Sequence, residues 1–144
     1  MYKIRMMTAD DYEAVIDLMK QTPGVSFRDA DSRESTLRYL ERNPRLSFVA
    51  LIGDQIGACI MSGHDGRRGY LQHLIVRPEY RRQGIATALV ERCLSELESI
   101  GILKCHIDVF KTNELGAAYW ESQGWKLRTD IKRYSFVRSS AENA

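Results

Sequence analysis

The chain has 144 residues, 44% of them hydrophobic and 28% charged, with three prolines and a net charge of +2 from 21 Lys and Arg against 19 Asp and Glu. A chain of this length buries about 68–70% of its unfolded surface in one core without needing a disulfide or a metal, and the composition excludes disordered, collagen-like and disulfide-scaffold classes. The near-neutral balance lacks the basic excess of a nucleic-acid binder, so no nucleic-acid partner is expected.

Cys59, Cys93 and Cys105 are odd in number, widely spaced and without a C-x-x-C pair, so neither a disulfide framework nor a thiolate zinc site is expected. His64, His73 and His106 do not have the spacing of a metal pair on a helix, and no metal is expected. The start, Met1 to Met7, alternates like a strand and lacks the apolar stretch of a signal peptide. The longest apolar run, Phe48 to Ile52, falls far short of the roughly 20 residues that cross a bilayer. These features point to a cytoplasmic protein with no membrane partner.

Taken in chain order, a first strand ends near Met7, and Thr8-Ala9-Asp10-Asp11 offers a hydroxyl with a carboxylate three residues later to open a helix. Tyr12, Val15, Ile16 and Met19 form its apolar stripe, and Pro23-Gly24 stops it. A loop through Phe27, Asp29 and Asp31 leads to a second amphipathic helix with Leu37 and Leu40, which Asn43-Pro44 ends. Leu46–Ile52 and Gln55–Met61, separated by Gly53-Asp54, read as an antiparallel hairpin. Tyr70–Val76 reads as a further, central strand that Pro78 terminates.

The strongest helical signal is Gly84 to Ile100, where Ile85, Leu89, Cys93, Leu97 and Ile100 recur at three- or four-residue steps. Leu103–Phe110 alternates as a strand, Glu114–Ser122 reads as a short helix, and Ile131–Arg138 alternates as a closing strand. The long helix between Tyr70–Val76 and Leu103–Phe110 is the crossover that makes two strands parallel. The fold class is therefore α/β in the α+β sense: a mixed, mostly antiparallel sheet with a central parallel pair, flanked by four helices. No repeat or linker divides it, so one domain over residues 1–138 is expected, with 139–144 a frayed polar tail.

Val76-Arg77-Pro78-Glu79-Tyr80-Arg81-Arg82-Gln83-Gly84-Ile85-Ala86 carries the chemistry. A strand, a turn and a helix start together present unpaired N–H groups and a positive dipole end, which suit a pyrophosphate, and Gly84 lets a ligand approach the backbone. The bland alternative is a solvated basic turn. Arg81-Arg82-Gln83-Gly84-Ile85-Ala86 nevertheless resembles the acyl-CoA signature of the GNAT superfamily of N-acetyltransferases, Arg/Gln-x-x-Gly-x-Gly/Ala. Asn113 and Trp120-Glu121-Ser122-Gln123-Gly124-Trp125 are similar to that family's second feature, an Asn after a strand and a helix closing on an aromatic, an acid, Gly and an aromatic. The resemblance runs from Met1 to about Arg138.

It implies a GNAT-like fold, with acetyl-CoA as co-substrate and a primary amine as acceptor, either a small molecule or a peptide. Cofactor contacts are implied along Leu74, Ile75 and Val76 for the pantetheine arm and on Arg81, Arg82, Gln83, Gly84, Ile85, Ala86 and Thr87 for the pyrophosphate, with Asn113 and Trp120 also near the cofactor. A backbone N–H near Val76 would polarise the acetyl carbonyl. The amine attacks the thioester directly, so no side-chain nucleophile is needed.

Relatives carry a glutamate base at the positions of Gln72 or Asp108. Gln72 cannot take a proton, which leaves Asp108 if burial raises its basicity; its alternative role is to bind or orient the substrate cation. His73 is the second base candidate, although strand alternation points it opposite to Gln72. A tyrosine general acid in many relatives is Trp120 here, and the adjacent Tyr119 lies one helical step of about 100° away. A non-catalytic acyl-CoA-binding or sensing module is the alternative function, and a homodimer is left open.

Overall fold

The sheet begins with β1 (Lys3–Met6) and continues through β2 (Phe48–Ile52), β3 (Gln55–His64), β4 (Gly69–Val76) and β5 (Cys105–Ile107), in that spatial order. The computed structural model from which this is taken describes residues 1–138, 140, 143 and 144. By contacts the chain forms two compact units, Met1–Ile107 and Asp108–Ala144.

In the first unit, β1, β2, β3 and β4 pair antiparallel, while β4 and β5 pair parallel through Gly69 with Cys105, Tyr70 with His106 and Leu71 with Ile107. The expected parallel pair is therefore present, but β5 is three residues long and not the eight of Leu103–Phe110. Past Leu71, β4 has no β5 partner among the described residues.

One face of the sheet is covered by α1 (Tyr12–Gln21), whose Tyr12, Val15, Ile16 and Met19 are buried together with Cys59, Met61 and Ile75. A 3-10 turn, Ala9–Asp11, precedes it, and Thr8 N donates to Asp11 Oδ2 at 2.8 Å, satisfying a donor at the entry. α2 (Arg33–Arg42) starts from Ser32, whose hydroxyl accepts from Ser35 N. Its Tyr39 and Leu40 pack against the α1 cluster. α3 (Ile85–Ser99) packs against β2, β3 and β4 with Ile85, Leu89, Cys93 and Leu97 all 2% exposed or less. Ile100 departs from the expected stripe: it follows the last helical residue and is 53% exposed.

The second unit contains α4 (Glu114–Ser122), opened by Asn113, whose Oδ1 accepts from Gly116 N at 2.9 Å. Residues 131–138 form no strand. Alternation in sequence gives a segment two chemically distinct sides. A strand also needs a neighbour's backbone hydrogen bonds, and none pairs with these residues among those described. The expected closing strand is thus not formed.

Candidate active site

β4 carries an irregularity that alternation did not foresee. On β3, Cys59 and Met61 are two apart and both face the α1 side; their β4 partners, Ile75 and Gln72, are three apart. One extra residue is therefore inserted in β4, and His73, at φ +51°, takes it up in left-handed backbone. The expectation that His73 points away from Gln72 fails at this bulge. Its ring reaches the turn Asp29–Asp31, between α1 and α2, where Nε2 lies 2.9 Å from Asp31 Oδ1. Both side chains are mostly buried. Asp31 Oδ2 accepts from Arg28 N at 2.8 Å, and the Asp31 carbonyl accepts from the Tyr12 hydroxyl at 2.8 Å. Asp31 was legible only as part of a loop; no motif marked it.

Beyond Val76 the chain makes a 3-10 turn, Pro78–Tyr80, and enters α3. Arg77 N donates to Gly57 O at 2.9 Å, and Arg81 Nε donates to Val76 O at 3.2 Å, so side chain and backbone both tie the turn to the sheet. Arg82 has φ +64° and Gly84 φ +79°. Gly84 is the residue before the helix, and no side chain caps it there. A Cβ at Gly84 would meet nothing within 4 Å, so the position is open. The amides of Ile85 and Ala86 lie in the first turn, where helical geometry supplies no acceptor, and the dipole of a 15-residue helix ends there. Gln83 and Thr87 are exposed beside them. The part of β4 unpaired with β5, with Leu74, Ile75 and Val76, leads through the turn Pro78–Tyr80 to this helix start, and the residues present fit a ligand with an extended arm and an anionic end.

In the second unit, Trp120 is buried, with its ring centroid 4.7 Å from Trp125 and 5.2 Å from Tyr119, edge to face in both cases. Asn113 engages its side-chain oxygen in capping α4. Asp108 is the first residue after β5, three-quarters exposed, with Oδ1 3.4 Å from Arg133 Nη2. The burial on which its candidacy as a base rested is absent. Among the described residues, no group of three or more His, Cys, Asp or Glu is arranged to hold a metal ion, and no helix is long and apolar enough to cross a membrane.

Residues 12–125 match the acetyltransferase (GNAT) family. An acetyltransferase of Pectobacterium atrosepticum is 34% identical over 120 residues, covering 83% of this chain and 84% of the relative. The solved structure of PaiA N-acetyltransferase from Thermoplasma acidophilum, in complex with coenzyme A, aligns with TM-score 0.79 and 21% identity over 89% of this chain and 91% of that one. The ribosomal-protein-S18-alanine N-acetyltransferase of Escherichia coli aligns with TM-score 0.71 and 23% identity, covering 86% and 77%. The chain belongs to the GNAT acetyltransferase family.

Proposed function

We propose that this acetyltransferase moves the acetyl group of acetyl-CoA to a primary amine, carried by a small molecule or a peptide, which attacks the thioester directly. The observation that carries the reading is left-handed Gly84, unobstructed at the start of α3, which follows the part of β4 unpaired with β5 after the turn Pro78–Tyr80. The coenzyme A bound in the similar fold of PaiA supports the same donor.

Acetyl-CoA supplies the activated acyl group. The residues of this chain do the rest. Amides from Arg82 to Thr87 and the helix dipole hold the pyrophosphate, with Arg81 bracing the turn. The edge along Leu74, Ile75 and Val76 takes the pantetheine arm, and a backbone N–H near Val76 draws charge onto the acetyl oxygen as the amine adds. For the second unit, the motif resemblance assigns Asn113 to the arm and Trp120 to the thioester. The amine's proton goes to Asp108, His73 or water, the three acceptors the residues leave for it. Trp120 has an N–H but no useful acid, so water protonates the departing thiolate, whose ordinary conjugate thiol titrates near 8.5.

A thiol-release assay across polyamines, amino acids, aminoglycosides and peptides with free N-termini tests the reading. Coenzyme A release that requires one of these amines is expected. Tight acetyl-CoA binding with no amine-dependent release would favour the sensing module instead.

A further inference from the structure

The acetyltransferase reading leaves open what prepares the acceptor, and β4 holds a group built for that task. A non-glycine residue at φ +51° is uncommon, and such backbone persists only where the surrounding structure holds it. Here the bulge turns His73 onto the same face as Gln72 and brings Nε2 to 2.9 Å from Asp31 Oδ1. An ionised carboxylate only accepts hydrogen bonds, so Nε2 carries the proton and Nδ1 keeps its lone pair. Nδ1 has no hydrogen-bond partner among the described residues. Asp31 is itself fixed by the Arg28 amide on Oδ2 and by the Tyr12 hydroxyl on its carbonyl.

We propose that His73 and Asp31 work as a pair in which Asp31 is the positioning residue and His73 Nδ1 removes a proton from the acceptor's ammonium group. This rests on the acetyl-transfer reading and names the acceptor class, a primary amine that arrives protonated. The proton passes to Nδ1 and the nitrogen lone pair is freed. The C–N bond forms as the C–S bond breaks, and the thiolate leaves with that electron pair. The nitrogen's second surplus proton goes to the thiolate through water, and His73 returns its own to solvent.

Two titratable groups packed against the pair are held in their neutral form near pH 7. Cys59 on β3, whose thiol donates to His73 O, is pushed up to about 12 by burial. Burial also raises Tyr12 on α1 above the usual phenol range. Arg33 on α2 stands over the Tyr12 ring and pairs with the exposed Glu13. An acidic limb of the pH–rate profile that disappears in the His73 variants therefore reports the base itself.

The test uses His73→Gly, which suits a positive φ, His73→Asn, which also tolerates that backbone, and Asp31→Asn. Each is assayed for acetyl-CoA affinity and for kcat and KM against pH, with an amine active in the parent enzyme. Both His73 variants are expected to bind acetyl-CoA like the parent, lose roughly 10²–10⁴-fold in kcat and lose the acidic limb. Added imidazole should return part of the rate to His73→Gly. Asp31→Asn should lower kcat about tenfold or more at similar KM, since the ring loses the partner that orients it. If the His73 variants keep rate and limb, or if all three variants only raise KM or melt earlier with the limb in place, the pair is a latch and the proposal is overturned while acetyl transfer stands. A parent that binds acetyl-CoA yet acetylates no amine overturns both.

Discussion

The ring of Tyr80 lies against the bare backbone of Gly57, so closely that a Cβ built on residue 57 would stand 2.7 Å from Tyr80 Cδ2 and also run into Ile52 Cδ1. Gly57 O accepts from Arg77 N as well, so one glycine on β3 seats both ends of the turn that leads into α3. Overpacking of this kind costs about 1–3 kcal/mol. Gly57→Ala should lower the melting temperature and, by displacing Tyr80 and the turn behind it, weaken acetyl-CoA binding about tenfold. Calorimetric titration checks this, and an unchanged Kd would separate the turn from the donor site.

Gly84 can be tested for charge apart from backbone. Asp and Asn both tolerate left-handed φ better than other side chains, and the open space around Gly84 accepts either. Gly84→Asp should abolish measurable acetyl-CoA binding by setting a carboxylate where a pyrophosphate meets the helix dipole, whereas Gly84→Asn should weaken it far less. Equal effects from the two would mean that shape, not charge, governs the cradle.

A pH-dependent contribution to stability lies at the entry to α1. Arg5 holds Asp11 through two bonds, Nη1 to Oδ2 at 2.8 Å and Nη2 to Oδ1 at 2.9 Å, and Thr8 N adds a third. The Arg5 guanidinium comes first among the causes that hold this buried carboxylate below its usual range; burial opposes it. A carboxyl group depressed in the folded state stabilises above its unfolded value, near pH 4, and that stability is lost as pH falls through the folded value. Asp11→Asn should therefore cost about 1.5–3 kcal/mol at pH 7, with the difference from the parent shrinking below pH 4. Urea unfolding across pH measures it; a constant difference would contradict the assignment.

Much of this structure was readable from periodicity. The α1 stripe, the four helices, the hairpin and the parallel crossover each leave a local pattern, and the strand-turn-helix at Gly84 combines a pattern with a motif. His73 was misread because a β-bulge adds one residue without altering composition, so every side chain beyond it changes face. Asp31 was unreadable because its contact with His73 spans 42 positions in sequence. The segment 131–138 was overread: alternation describes sidedness, while strand formation is decided by a partner elsewhere.

Thiol reactivity follows burial. Cys59 and Cys93 are fully buried and pushed up to about 12, and Cys105 is raised less and is half-buried beside Gly69. The thiolate is the reactive form. Alkylation of the native protein at pH 8, followed by mass spectrometry, should mark Cys105 first and leave Cys59 and Cys93 unmodified until the chain unfolds. Early labelling of Cys59 would mean that the β3–β4 core opens readily.

Tyr119→Phe and Trp120→Ala divide the possible roles of the α4 aromatics. With water protonating the thiolate, Tyr119→Phe should keep most of the activity, while Trp120→Ala should reduce it, having removed a buried ring that packs on both Tyr119 and Trp125. A loss of about 10²-fold or more in Tyr119→Phe with acetyl-CoA affinity preserved would make Tyr119 the general acid.

Acetyl transfer itself is tested most directly by following thiol release and acetylated product together, in parent and Gly84→Asp proteins, with acetyl-CoA and the amine panel. The parent should release one coenzyme A for each acetylated amine, and Gly84→Asp should do neither while remaining folded. Coenzyme A release without acetylated amine, or full activity in folded Gly84→Asp, would contradict the account.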